Sequence, residues 1–165
     1  MGKGTGKLIC VAQCSPSMLT SHKRTAKAVW KGTGLEGNGS MTTRSGAITD
    51  MPYTHKTRFQ NEEGTTGTNP EELIAAAHAA CFNMALSFMI NGAGFSAEEL
   101  STEAVLVMDQ QGYDYTIAKI TLKLDAKVPG IDHAELEKLA NAAKASCPVS
   151  QALSAVDIAL EVTAH

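Results

Sequence analysis

Four cysteines, Cys10, Cys14, Cys81 and Cys147, are the side chains best suited to covalent chemistry in this chain of 165 residues. They are too few and too widely spread for a disulfide scaffold, and a chain of this length buries enough apolar surface to fold without one. Any thiol chemistry is therefore expected at a specific site. Cys10 and Cys14 sit in a Gly-rich stretch with no strand or helix period, and without paired histidines their spacing makes no zinc site, so no role is assigned to them. Cys81 falls in mid-helix among apolar neighbours, where the ordinary role of a thiol is to pack as a small hydrophobe. Cys147 stands before Pro148 at the end of a helix. That proline removes a donor and breaks the helix, exposing the backbone beside the thiol.

Charged and polar residues around these cysteines have ordinary readings of their own. His78 and Cys81, three apart, share a helix face and have the geometry of half a metal site. No third or fourth ligand is in view, so His78 is expected as a hydrogen-bonded core histidine. Glu71 lies in a helix's first turn, where an acidic group complements the positive end of the dipole. Since Glu72 already fits the capping role, Glu71 is free for other work. Arg58, beside Phe59, reads by default as a solvated charge. Gly32, Gly34, Gly37 and Gly39 are spaced like a dinucleotide loop, but no helix follows them, and Ser45-Gly46 points to another hairpin turn.

The elements that must position these residues follow from period and punctuation. His22 to Lys31 alternates loosely as a half-buried strand, the glycines turn the chain, and a third strand is expected over Thr54 to Phe59, before a polar loop from Gln60 to Thr68. Asn69 as N-cap, Pro70 at the first helical position and Glu72 as a capping-box partner start a helix that is apolar nearly all round. Such a helix must be wrapped by protein, and Gly92 and Gly94 end it. A long hairpin over Ser101 to Met108 and Tyr115 to Lys127 comes next, turning at Gln110-Gln111-Gly112. A helix capped by Asp132 then runs to the Cys147-Pro148 step, Val149 to Ser154 adds a short helical piece, and Val156 to Val162 is the last strand. The order is β-β-β-α-β-β-α-β.

Composition narrows the function classes. A chain of 165 residues has room for a single domain, with residues 1–20 read as a flexible extension and 21–165 as the folded unit. Apolar residues at 44% and charged residues at 19% exclude a disordered chain or a fibre. A net charge of -3 offers no basic footprint for a phosphate backbone, so no nucleic-acid partner is expected. The longest apolar run, Ala75 to Ile90, is interrupted by His78, Asn83 and Ser87 and reads as a buried helix rather than a membrane span. Leu8 to Ala12 is too short for a signal-peptide core, and a soluble, cytoplasmic protein is expected.

Three strings together carry a family resemblance: Thr57-Arg58-Phe59; Gly67-Thr68-Asn69-Pro70-Glu71-Glu72-Leu73-Ile74-Ala75-Ala76-Ala77-His78-Ala79-Ala80-Cys81-Phe82; and Ala145-Ser146-Cys147-Pro148-Val149-Ser150. From about Arg24 to the end the chain resembles the osmotically induced protein C (OsmC) family of thiol peroxidases, relatives of the organic hydroperoxide resistance proteins. The resemblance implies an α+β fold with antiparallel sheets wrapped around long central helices. It implies Cys81 as the peroxidatic and Cys147 as the resolving cysteine, with no cofactor and no metal. Thiolate attack on a peroxide needs a cation that favours the thiolate and the leaving alkoxide, which Arg58 can supply with Glu71 holding its guanidinium fork. In the organic hydroperoxide resistance branch the arginine comes from an earlier Gly-rich loop, where this chain offers Arg44; Thr-Arg-Phe matches the OsmC branch, and Arg58 is favoured. Apolar walls such as Phe82 suit an alkyl hydroperoxide. The implied partners are a hydroperoxide, a dithiol reductant of dihydrolipoyl type, and a second copy of the chain. Glu71 and Cys81 lie roughly 15 Å apart along one helix, so the family roles require an intertwined homodimer whose sites draw on both chains. A non-enzymatic redox-sensing or ligand-binding module using the same two cysteines is the alternative.

Overall fold

The computed structural model describes residues 20–61 and 67–165; Cys10, Cys14 and the proposed extension up to residue 19 lie outside the described residues. Three short strands come first, β1 (Ala26–Lys31), β2 (Asn38–Thr43) and β3 (Met51–Thr54), paired antiparallel in that order. The glycines after β1 form its hairpin with β2, as expected, and no phosphate loop. Gly39 is needed because a Cβ there would come 2.6 Å from the Tyr53 ring on β3.

The segment expected as the third strand departs from expectation. β3 ends at Thr54, and His55–Phe59 is a helical turn, α1. Its cause is local hydrogen bonding. Thr54 Oγ1 accepts from Thr57 N at 3.1 Å while Thr57 Oγ1 accepts from Thr54 N at 2.9 Å, a capping box with threonine in the place usually held by Glu or Gln. The alternation around Tyr53 and Phe59 hid this start signal.

Helix α2 (Pro70–Gly92) begins where Asn69, Pro70 and Glu72 place it. Asn69 Oδ1 accepts from Glu72 N at 2.8 Å, but the Glu72 carboxylate takes the Thr68 hydroxyl at 2.6 Å instead of completing a reciprocal box. At the far end Gly94 takes a left-handed φ of +87°, the usual exit from a helix. His78, Phe82, Leu86 and Ile90, each four residues on, form the buried stripe of α2. Asn83, polar in an apolar helix, ties it to β4 (Glu99–Gln111): its Nδ2 donates to Leu100 O at 3.1 Å and its Oδ1 accepts from Thr102 at 2.6 Å.

β4 pairs antiparallel with β5 (Asp114–Lys127), and on β5 Ile120, Leu122, Leu124 and Ala126 alternate into the core as their period requires. α3 (His133–Ser146), α4 (Pro148–Ala152) and β6 (Asp157–Ala164) complete the chain. The second sheet is mixed, because β6 lies parallel to β5. The α3–α4 segment is the crossover that a parallel pair demands. Leu136, Ala140 and Ala143 of α3 join the α2 stripe and β5 in one core.

α2 is not wrapped within one chain. On its outer side Met84 is 64% and Phe88 70% exposed, since the β4–β5–β6 sheet and α3 cover only the His78 face. Contrary to the sequence reading, this helix is long and apolar enough to cross a membrane by length and composition. Its packed stripe and hydrogen bonds to β4 are those of a core helix with one face open.

Candidate active site

Two pairs of side chains meet, each in one chain. The first joins α1 to the start of α2. Arg58 Nε lies 3.2 and 3.1 Å from the two Glu71 carboxylate oxygens, and Arg58 Nη2 2.5 Å from Oε1. This fork fixes the plane of the guanidinium, and among the described residues its other edge is open to an anion. The Glu71 side chain is only 15% exposed, which favours a persistent pair over a fluctuating surface one. Arg58 Cζ also lies 4.7 Å from the centroid of the Phe59 ring, which stacks on Tyr115 of β5 at 4.4 Å. The shift of Thr54–Phe59 from strand to helix is what presents Arg58 to Glu71. Beside Arg58 opens a hollow of about 260 Å³ lined by Trp30, Tyr53, His55 and Phe59.

The second pair is the two thiols. Proline restricts the residue before it to extended backbone, and Cys147, at φ −60° and ψ 121°, ends α3 and starts α4 in one residue. This break turns α4 back onto α2 and sets the fully buried Cys147 near the half-buried Cys81, close enough for each thiol to shift the other's pKa. Burial pushes the Cys81 thiol up; the Val149 amide works against this, and the neighbouring Cys147 adds to the rise. Cys147 moves down. Burial opposes this, but the Ser150 amide, the Cys81 thiol, the Ser150 hydroxyl and the Val149 amide together outweigh it. Its sulfur makes no short capping hydrogen bond to α4, so these contacts act as longer-range stabilisation of the thiolate.

The two pairs do not join within the chain. Among the described residues, the groups that set the Cys81 pKa include no guanidinium. Glu71 and Cys81 are separated along α2 by roughly 15 Å at a helical rise of 1.5 Å per residue. Arg44 lies elsewhere, on the turn after β2, with its amide bonded to Thr25 O at 3.2 Å and its side chain lining a groove with Lys23 and Arg24. Phe82, expected as a wall of the substrate site, is instead fully buried in the core beside Leu86 and Leu122. The apolar walls nearest Arg58 belong to Trp30, Tyr53 and Phe59. His78 is the buried, hydrogen-bonded core residue expected, with Nε2 2.8 Å from Ser150 Oγ. Ser150 has no role in the sequence reading, although its place three residues after the Cys147 helix break makes it the N3 residue of α4.

A thiol on a central helix near a thiol at a helix break, in a two-sheet α+β scaffold, defines the class of small α+β proteins to which the chain is compared. The model of the OsmC-like protein family matches residues 61–161. The chain is 47% identical over 137 residues to the peroxiredoxin OsmC of Escherichia coli, an alignment that covers 83% of this chain and 93% of that protein. The crystal structure of the organic hydroperoxide resistance protein OhrB of Bacillus subtilis matches with a TM-score of 0.61 at 30% identity, over 84% of this chain and 98% of that one. An organic hydroperoxide resistance protein of Legionella pneumophila matches with a TM-score of 0.64 at 28% identity, over 88% and 99%. The chain belongs to the OsmC family.

Proposed function

We propose that this OsmC-family peroxidase reduces organic hydroperoxides in preference to hydrogen peroxide, through Cys81 and Cys147, in a homodimer that joins Arg58 and Glu71 of one chain to the cysteines of the other. The nearness of Cys147 to Cys81, where α4 packs on α2, is the observation that supports the reading. Cys81 as thiolate attacks the terminal peroxide oxygen; the O–O bond breaks, Cys81 becomes a sulfenic acid, and the alkoxide leaves and takes a proton. Cys147 as thiolate then attacks the sulfenic sulfur, forming the disulfide and releasing hydroxide, which is protonated to water. An external dithiol, of dihydrolipoyl type, returns both cysteines to thiols by exchange.

The raised Cys81 pKa in the single chain is what this reading expects of an incomplete site. A guanidinium from a second chain would bring it down and neutralise the developing alkoxide. The exposed Met84–Phe88 side of α2 supports a second copy as its cover, since a large apolar face on a soluble domain marks an interface. The aromatic hollow beside Arg58 supports an alkyl substituent on the peroxide.

The test is turnover. With a dithiol in excess, the protein should consume cumene hydroperoxide continuously and faster than hydrogen peroxide, and tryptic mass spectrometry of peroxide-treated protein should find Cys81 joined to Cys147. Consumption of a single equivalent followed by arrest would favour the redox-sensing alternative, and Cys81 left as a thiol would overturn the assignment.

A further inference from the structure

Among the described residues, one buried side-chain polar atom has no hydrogen-bond partner, Nδ1 of His78. The ring is fully buried, and its other nitrogen lies 2.8 Å from the hydroxyl of Ser150, itself buried. Such orphans are rare in folded proteins and call for an explanation. Burial holds the ring neutral by lowering its pKa, so it carries a single proton. Were that proton on Nδ1, a buried N–H would be stranded; on Nε2, only a lone pair is left bare, the milder of the two defects. The proton therefore belongs on Nε2, and Nε2–H donates to Ser150 Oγ. Having accepted there, the serine hydroxyl must turn its own hydrogen elsewhere. Ser150 is in the first turn of α4, whose N-cap is Cys147.

We infer that His78 is a positioning residue for Cys147: its Nε2–H fixes the Ser150 hydroxyl so that the hydroxyl hydrogen is donated to the Cys147 sulfur. The Ser150 hydroxyl is among the groups that favour the Cys147 thiolate. The relay runs from α2 to α4 through three side chains, and a second α2 residue, Cys81, lies near enough to influence the same thiol. Its consequence rests on the peroxidase reading. The relay readies Cys147 to attack the Cys81 sulfenic acid, where the S–S bond forms as the S–O bond breaks and hydroxide departs to be protonated by solvent. A resolving thiol that attacks promptly shortens the life of the sulfenic acid and spares Cys81 from irreversible over-oxidation.

The test titrates Cys147 by its ultraviolet thiolate absorbance in a background where Cys10, Cys14 and Cys81 are all changed to Ser, with no peroxide present. His78→Leu should raise the Cys147 midpoint by about one pH unit, equivalent to roughly tenfold less thiolate at a given pH below the midpoint. Ser150→Ala should do the same, and the two changes together should do no more, because they break one relay. His78→Gln, which keeps an N–H near Nε2, and Ser150→Thr, which keeps the hydroxyl, should both retain the wild-type midpoint. With Cys81 restored, His78→Leu should slow disulfide closure after sulfenic acid formation by about tenfold and increase sulfinic acid at Cys81. An unchanged midpoint in Ser150→Ala, or effects of the two changes that add, would overturn the inference. Should His78→Leu fail to fold, the Ser150 pair alone decides. If the wild-type chain forms no Cys81–Cys147 disulfide, the peroxidase reading fails, while the peroxide-free titration still judges the relay.

Discussion

At the residue scale, the side chains divide by what the fold does to their protons. His78 resists protonation because it is buried. In the unfolded chain it takes up a proton near its ordinary value of 6.5, so below that pH the unfolded state binds more protons than the folded one. Stability attributable to this residue is therefore complete above pH 6.5 and is lost as pH falls below it, with a slope of at most about 1.4 kcal/mol per pH unit. Denaturant unfolding across mildly acidic pH should show this slope in the wild type and a flatter one in His78→Gln; equal slopes would mean that His78 is not the titrating group. Arg58 is the other residue with a distinct expectation. If its guanidinium stabilises the developing alkoxide, Arg58→Met should slow the peroxide reaction by about 10²–10³, the usual loss on removing one such donor. Arg44→Met should leave the rate within about twofold of wild type. Stopped-flow rates of thiol oxidation measure both, and equal losses at the two arginines would remove the reason for preferring Arg58.

At the scale of elements, α2 organises the site, and its start and its packed middle depend on different residues. Loss of the Asn69 cap by Asn69→Ala should cost about 1 kcal/mol, whereas Phe82→Ala, which opens a cavity in the core, should cost about 3–5 kcal/mol. Chemical denaturation midpoints should rank the two in that order. A Phe82→Ala variant as stable as wild type would contradict its place in the core. The start of α2, the β4–β5 hairpin and the helix capped by Asp132 were legible because each carries its own punctuation: an N-cap side chain, alternating apolar residues, or a proline. Thr54–Phe59 was not legible. Its start signal is a threonine pair three apart, and the surrounding aromatic alternation imitates a strand. The parallel pairing of β6 with β5 was hidden for a different reason, since strand direction in a sheet depends on the crossover and leaves no local mark. The meeting of Cys147 with Cys81 was readable only through resemblance, although the Cys147-Pro148 step does announce the helix break that makes it geometrically feasible. Ser150 was overlooked because a serine in a helix's first turn is an ordinary residue until its buried histidine neighbour is seen.

At the scale of the whole molecule, one chain carries two half-built sites. The Arg58–Glu71 fork is assembled, and so is the thiol pair, yet the cation and the thiol it should activate stand apart, while Met84 and Phe88 leave one side of α2 uncovered. In the proposed dimer a second copy answers both deficits at once: covering α2 is how the partner's Arg58 would reach Cys81. The proposed working site is shared between chains. Its most direct test unfolds Arg58→Ala and Cys81→Ser chains together and refolds them, with exchange confirmed by native mass spectrometry. Each heterodimer would hold one site with both groups intact, so the mixture should recover roughly a quarter of wild-type peroxidase activity per chain under two-fold symmetry. A fully exchanged mixture as inactive as either parent would contradict the shared site.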